Sequence, residues 1–218
     1  MQFEPSRFVY EDVLKIATKA LNAAGLAGLL LLNACAGQST GQATSWYASH
    51  DGVAPRADRT YVCHGFGCTY KTPVNFSNRS LKRLKRILAA GRRSAEAERK
   101  AIANAVAWNE KRVAPEVGSA NDVGGLDLHN AGVRGQMDCI DEATNTASLL
   151  LVAEKHGYLK YHTVSGPVAR GFFLDGRYPH ATATVKEKKT GEVFAIDSWP
   201  KKNGEKPVVQ NLDVWMAS

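Results

Sequence analysis

The strongest constraint on this chain is a change of period at Gly157. Before it, apolar residues recur at helical spacing; after it, they fall in short β-branched and aromatic runs broken by glycine. Between residues 80 and 90, Leu81, Leu84, Ile87 and Leu88 share one helical face, with Lys82, Arg83, Lys85 and Arg86 off it and Gly91 as a stop. A second helix is expected over residues 94–113, with Ile102, Ala105, Val106 and Trp108 inward and Pro115 ending it. Residues 114–137 are glycine-rich and irregular. They deliver the chain to a third helix that opens at Asp138, runs over residues 139–156 and buries Ile140, Ala143, Ala147, Leu150, Leu151 and Ala153. Strands are expected over residues 158–168, 170–174, 180–186 and 193–197, with a last one within 207–216. Helices first and antiparallel strands afterwards give an α+β domain, helices packed on a small antiparallel β-sheet.

The N-terminal part reads differently. Residues 20–32 are apolar throughout and too short to span a bilayer. They run into Leu32-Asn33-Ala34-Cys35, which resembles the bacterial lipobox. That resemblance implies a lipoprotein-type signal over residues 1–35, lipidation of Cys35, and a periplasm-facing position in the cell envelope with the membrane held through the lipid. The other reading is an amphipathic helix packed on the domain. Residues 36–60, rich in Gly, Ala, Ser and Thr, are expected to form a flexible stalk with a reach of roughly 25–30 Å. The folded domain is then expected over residues 61–218. The formal net charge of +7 reads first as a solvated basic face and second as an attraction to an acidic partner such as an anionic membrane surface, a polyanion or nucleic acid. No nucleic-acid partner is expected.

The four cysteines divide by context. Lipid would consume Cys35. Cys63 and Cys68, in Cys63-His64-Gly65-Phe66-Gly67-Cys68, are spaced to close a small disulfide loop in an exported protein. A metal site that also used His64 would lack a second ligand pair at zinc spacing. Cys139 is left over.

Cys139 lies in the first turn of a helix, where unpaired N–H groups and the macrodipole favour a thiolate. A thiolate nucleophile needs a general base, and imidazole is the side chain poised near neutral pH. His180 begins a strand and Asp197 ends the next. A hairpin turning at Lys189-Thr190-Gly191 would bring the two to the same sheet edge. Singly, each has a plain structural reading: a small buried hydrophobe, a strand-end histidine and a turn cap.

Taken in order, Cys at a helix start, His-Ala entering a strand and Asp closing the following strand resemble the transglutaminase-like superfamily. Asp138-Cys139-Ile140-Asp141-Glu142-Ala143 looks like the Asp-Cys-x-Asp-x-Ala stretch of bacterial transglutaminase-like cysteine proteinases. The resemblance covers roughly residues 75–200 and implies a papain/transglutaminase-like fold. It further implies Cys139 as nucleophile, His180 as general base and acid, and Asp197 as the carboxylate that orients it. The backbone N–H of Cys139 is the first candidate for an oxyanion donor, and the side-chain amide of Gln136 the second. Asp138 and Asp141 read as helix-capping acids or, as in some of the resembled proteinases, as oxygen ligands of a Ca²⁺ ion. No other cofactor is required. The expected activity is a cysteine peptidase or amidohydrolase acting on protein or peptide substrates of the envelope. A protein-glutamine acyltransferase with the same triad and a non-catalytic binding module are the alternatives.

Overall fold

A computed structural model describes residues 43–126, 128–171 and 178–218. The expected signal segment and Cys35 lie outside the described residues. In chain order the elements are α1 (Ala43–Ser49), β1 (Arg59–His64), β2 (Tyr70–Asn75), α2 (Asn78–Ala89), α3 (Ala95–Val117), α4 (Cys139–Lys155), β3 (His162–Val164), β4 (Val168–Arg170), β5 (His180–Glu187), β6 (Val193–Asp197), β7 (Val208–Asn211) and α5 (Leu212–Ala217). The fold is α+β. One antiparallel sheet is the β1–β2 hairpin; the other runs β3-β5-β6-β7, with β4 also paired to β5.

Helix α4 is the central element. Of its 17 residues, 12 are buried, because β1 lies against one side of it and β5 against another. Leu149, Leu150 and Ala153 meet Leu84 and Leu88 of α2, Ile102 and Val106 of α3, and Val185 and Ile196 of the larger sheet in one apolar cluster. Each such aliphatic side chain contributes about 1.5–3 kcal/mol on leaving water. Asp138 and Asp141 form a reciprocal capping box at the start of α4, each carboxylate accepting the other's backbone N–H.

The structure departs from the sequence expectations at several points, and residues 172–174 of the strand expected over residues 170–174 lie outside the described residues. The expected stalk folds onto the domain from Ala43 onward: Trp46 and Tyr47 of α1 are buried, bonded to Thr144 and Ser148 of α4. Two aromatic rings in a run of small residues outweigh the low-complexity composition around them. Helix α3 passes through Pro115 and ends at Val117, where Gly118 takes the left-handed conformation (φ 86°) and bonds back to Ala114. A proline in the last turn removes one hydrogen bond without blocking the turn's closure. The C-terminal run divides into β7 and α5, with Asn211 as side-chain cap of the helix. The strand expected over residues 158–168 is delayed to His162 by a buried knot. There Glu98 of α3 accepts the backbone N–H groups of Lys160, Tyr161 and His162 and the Nδ1 of His162. Burial raises the Glu98 pKa, but those hydrogen bonds outweigh it and hold the group below its ordinary value.

Candidate functional site

The β5–β6 hairpin turns around residues 188–192 and pairs Ala183 with Ile196. That register sets the start of β5 beside the end of β6. His180 Nε2 lies 2.7 Å from Asp197 Oδ2, and the two side chains are 8% exposed each. The other imidazole nitrogen, Nδ1, is buried and makes no hydrogen bond among the described residues. With Nε2 donating to the carboxylate, Nδ1 is left as the free acceptor.

Cys139 is the free cysteine of the described domain, and it is buried. It packs with Ala181, Ala143 and Trp46, and its Sγ lies 3.9 Å from the carbonyl oxygen of Pro179. The sulfur is therefore bracketed by the two residues that flank His180. The helix start does not lower its pKa. Burial pushes the thiol up to about 11; the Asp138 and Asp197 carboxylates add to the rise, and the N–H groups of Ala181 and Cys139 oppose it. Removing the sulfur from water outweighs the field of one helix turn here.

Three residues of the site escaped the sequence reading. Trp215 of α5, almost wholly buried, donates its indole N–H to Asp197 Oδ2 at 2.9 Å. Trp199 lies over the imidazole with ring centroids 4.5 Å apart, and Trp215 faces it at 5.3 Å, so two indoles enclose His180. Trp46 walls the cysteine from the side of α1. Only the Asn211-x-Asp213 cap before Trp215 is a sequence signal of its helical setting; nothing in sequence points that indole at Asp197.

The acidic residues near Cys139 have separate jobs. Asp141 Oδ2 accepts the N–H of Phe66 and Oδ1 that of Cys68, while Asp138 Oδ2 accepts the N–H of Gly67. Cys63 and Cys68 are joined, and residues 65–68 all have positive φ, from 57° to 83°. Successive left-handed residues turn consecutive N–H groups to one side, which makes a nest for anions. A side chain at Gly65 would also collide with the ring of Tyr70. The disulfide loop thus clamps the residues on either side of the candidate nucleophile. Cys63, Cys68 and Asp141 lie close enough to hold a metal ion, but both sulfurs are bonded to each other. Every carboxylate oxygen of Asp138 and Asp141 accepts a backbone N–H, the arrangement of a cap and a clamp. Burial, with the Asp138 charge, pushes Asp141 up to about 8, against the pull of those N–H groups.

The structure employs Gln136 elsewhere than expected. Its amide bridges the loop before α4, donating to Asn121 O at 3.0 Å and accepting from Val123 N at 3.1 Å. His64 is structural too, accepting from Gly135 N and meeting Thr72 Oγ1. Ser198, next to Asp197, donates to Glu142 Oε2 at 2.7 Å and fastens the end of β6 to α4.

No family model, curated protein or solved structure matches this chain. Its function rests on the site itself.

Proposed function

We propose that this protein is a thiol hydrolase of papain/transglutaminase-like type, with Cys139, His180 and Asp197 as its triad. The observation that carries the reading is the polarity of His180: Nε2 is committed to Asp197, and Nδ1 is buried and unpartnered beside the residues that bracket the Cys139 sulfur. A histidine kept only for packing would gain nothing from a buried acceptor with no donor, which costs about 1–3 kcal/mol.

The resting thiol points at Pro179, so the reaction begins with its rotation about Cα–Cβ toward Nδ1. The thiol proton passes to Nδ1, and the sulfur adds to the substrate carbonyl carbon. As the C–N bond breaks, the same proton goes to the leaving amine, and an acyl-thioester remains on Cys139. Water, giving its proton to Nδ1, cleaves the thioester to a carboxylic acid and restores the thiol. Asp197 keeps Nδ1 as the acceptor and stabilises the imidazolium, which the faces of Trp199 and Trp215 also favour. The Cys139 backbone N–H is the proposed oxyanion donor.

Peptide or isopeptide bonds of envelope proteins are the proposed substrates, with the domain tethered through Cys35. An amine in place of water would give acyl transfer from the same thioester. The test is mass spectrometry of envelope proteins incubated with wild type or Cys139→Ala, with and without an added primary amine. Products absent with Cys139→Ala are expected, and amine incorporation identifies a transferase. Identical products from both proteins overturn the assignment.

A further inference from the structure

The positive charge of this protein is not spread over it. From residue 59 to residue 95 there are nine Lys and Arg and no Asp or Glu, so the rest of the chain nets −2 (+7 less +9). Most of that excess sits on α2 and just after it. Arg79 lies three and four residues before Lys82 and Arg83, and Arg86 four and three after them, so the four form one stripe, about 10 Å long at 1.5 Å per residue. All four are exposed, and together they line one open surface depression. None makes a hydrogen bond or ion pair among the described residues. Like charges at this spacing repel, and nothing in the fold offsets them.

We propose that this α2 stripe docks the domain onto an anionic phospholipid surface by charge alone. The opposite side of α2 is occupied, because Leu84 and Leu88 are fully buried in the core with α3. The helix therefore has no apolar face to roll into a bilayer, and contact stops at the headgroup phosphates. No aromatic ring lines the depression, so it lacks the stacking platform of a single-strand nucleic-acid site. Flexible cations on a bare helix suit a planar array of phosphates whose positions are not fixed. Tether length adds to the case, and this part alone rests on the proposed lipid at Cys35. With folding under way at Ala43, only seven residues lie between it and Cys35, a span of at most about 28 Å. Such a leash keeps the domain near headgroups rather than off the membrane.

The test uses the full chain and co-sedimentation with vesicles of phosphatidylcholine, alone or with about one-third phosphatidylglycerol. Each engaged cation adds about five-fold to partitioning on the anionic vesicles. With all four engaged, wild type should therefore prefer them by about 600-fold at low salt, and molar salt should remove the preference. Arg79→Gln, Lys82→Gln, Arg83→Gln and Arg86→Gln combined should abolish it. Lys186→Gln, Lys189→Gln, Lys202→Gln and Lys206→Gln combined, an equal loss of exposed charge elsewhere, should retain most of it. Equal loss in the two quadruple variants overturns the proposal, as does duplex DNA displacing wild type from the vesicles more effectively per phosphate than phosphatidylglycerol does. Cys35→Ser separates this reading from the anchor: it weakens binding to both vesicle types and leaves their ratio unchanged.

Discussion

Replacing His180 by alanine tests the assistance that the proposed triad gives Cys139. Burial sets the thiol at about 11, against about 8.5 for a free cysteine. At pH 7 an unassisted Cys139 is then about 300-fold less ionised than a cysteine peptide. A thiolate of higher pKa is intrinsically more nucleophilic toward disulfides; with a Brønsted slope of about 0.4–0.5, that recovers roughly 10–20-fold. His180→Ala should therefore react with an aromatic disulfide roughly 15–30-fold more slowly than a cysteine peptide at pH 7. Its rate should climb about ten-fold per pH unit toward pH 11.

Wild type should behave differently at the same pH. A base at Nδ1 contributes typically 10²–10⁴-fold, so wild type should outrun His180→Ala by at least about 100-fold. Its rate should rise less steeply with pH than that of His180→Ala, because the base rather than the solvent takes the thiol proton. Asp197→Asn keeps a side chain of the same size and should fall between the two, because Nε2 loses its anionic partner. Thermal melts identify any variant that has lost its fold. Superimposable pH profiles for folded wild type and His180→Ala would refute the triad outright.

Other outcomes follow from single contacts. Trp215→Phe removes the indole N–H from Asp197 Oδ2 while keeping a ring, and should slow the disulfide reaction roughly 10-fold with little change in melting temperature. Cys63→Ser with Cys68→Ser opens the loop that clamps Asp138 and Asp141. It should cost about 2 kcal/mol by chain entropy alone, a melting shift of roughly 4–8 °C, and should also lower the Cys139 rate. Glu98→Ala strands three backbone N–H groups and His162, and should destabilise by roughly 3–5 kcal/mol by chemical denaturation. Because folding lowers the Glu98 pKa, its contribution is present above the unfolded carboxylate value and is lost as pH falls through the folded one. Burial raises Glu142 to about 7 and Glu110 to about 9, so stability through these two is full below about pH 4.3 and declines as pH rises through the folded values. Glu110→Gln should flatten that alkaline decline; an unchanged slope would show that Glu110 does not titrate across it.

Much of the frame was legible because it depends on local pattern. Leu81, Leu84 and Leu88 mark α2 by period, and Asp138 with Asp141 marks the start of α4 by capping chemistry. The meeting of His180 and Asp197 was legible because a glycine-containing turn between two short strands fixes which ends are neighbours. What stayed hidden depends on contacts distant in sequence. Glu98 in the first turn of a helix reads as a cap acid, yet it binds a segment 62–64 residues away. The C-terminal run read as one strand, and Trp215 became visible as Asp197's partner only once Asn211 ended that strand. Gln136 was placed near the nucleophile by sequence distance alone, while the loop's turns send its amide toward Asn121 and Val123.

The acids around Cys139 bear on the same chemistry. In sequence, Asp138, Asp141 and Glu142 crowd negative charge against a would-be thiolate, which argues against catalysis. The structure distributes that charge. Asp138 and Asp141 face the N–H groups of residues 66–68 and of the helix start, so donors meet their fields at once. Glu142 is bonded to Ser198, and burial holds it partly protonated near neutral pH, so its charge is small where the thiol must ionise. Asp197 alone is bonded to an imidazole, and there its charge favours the imidazolium that accepts the thiol proton. In the proposed mechanism, a thiol that burial holds protonated gives up its proton only to the His180 nitrogen that Asp197 orients. That restricts reactivity to the moment when sulfur and imidazole face each other. The high resting pKa of Cys139 and a role as nucleophile are therefore compatible parts of one site.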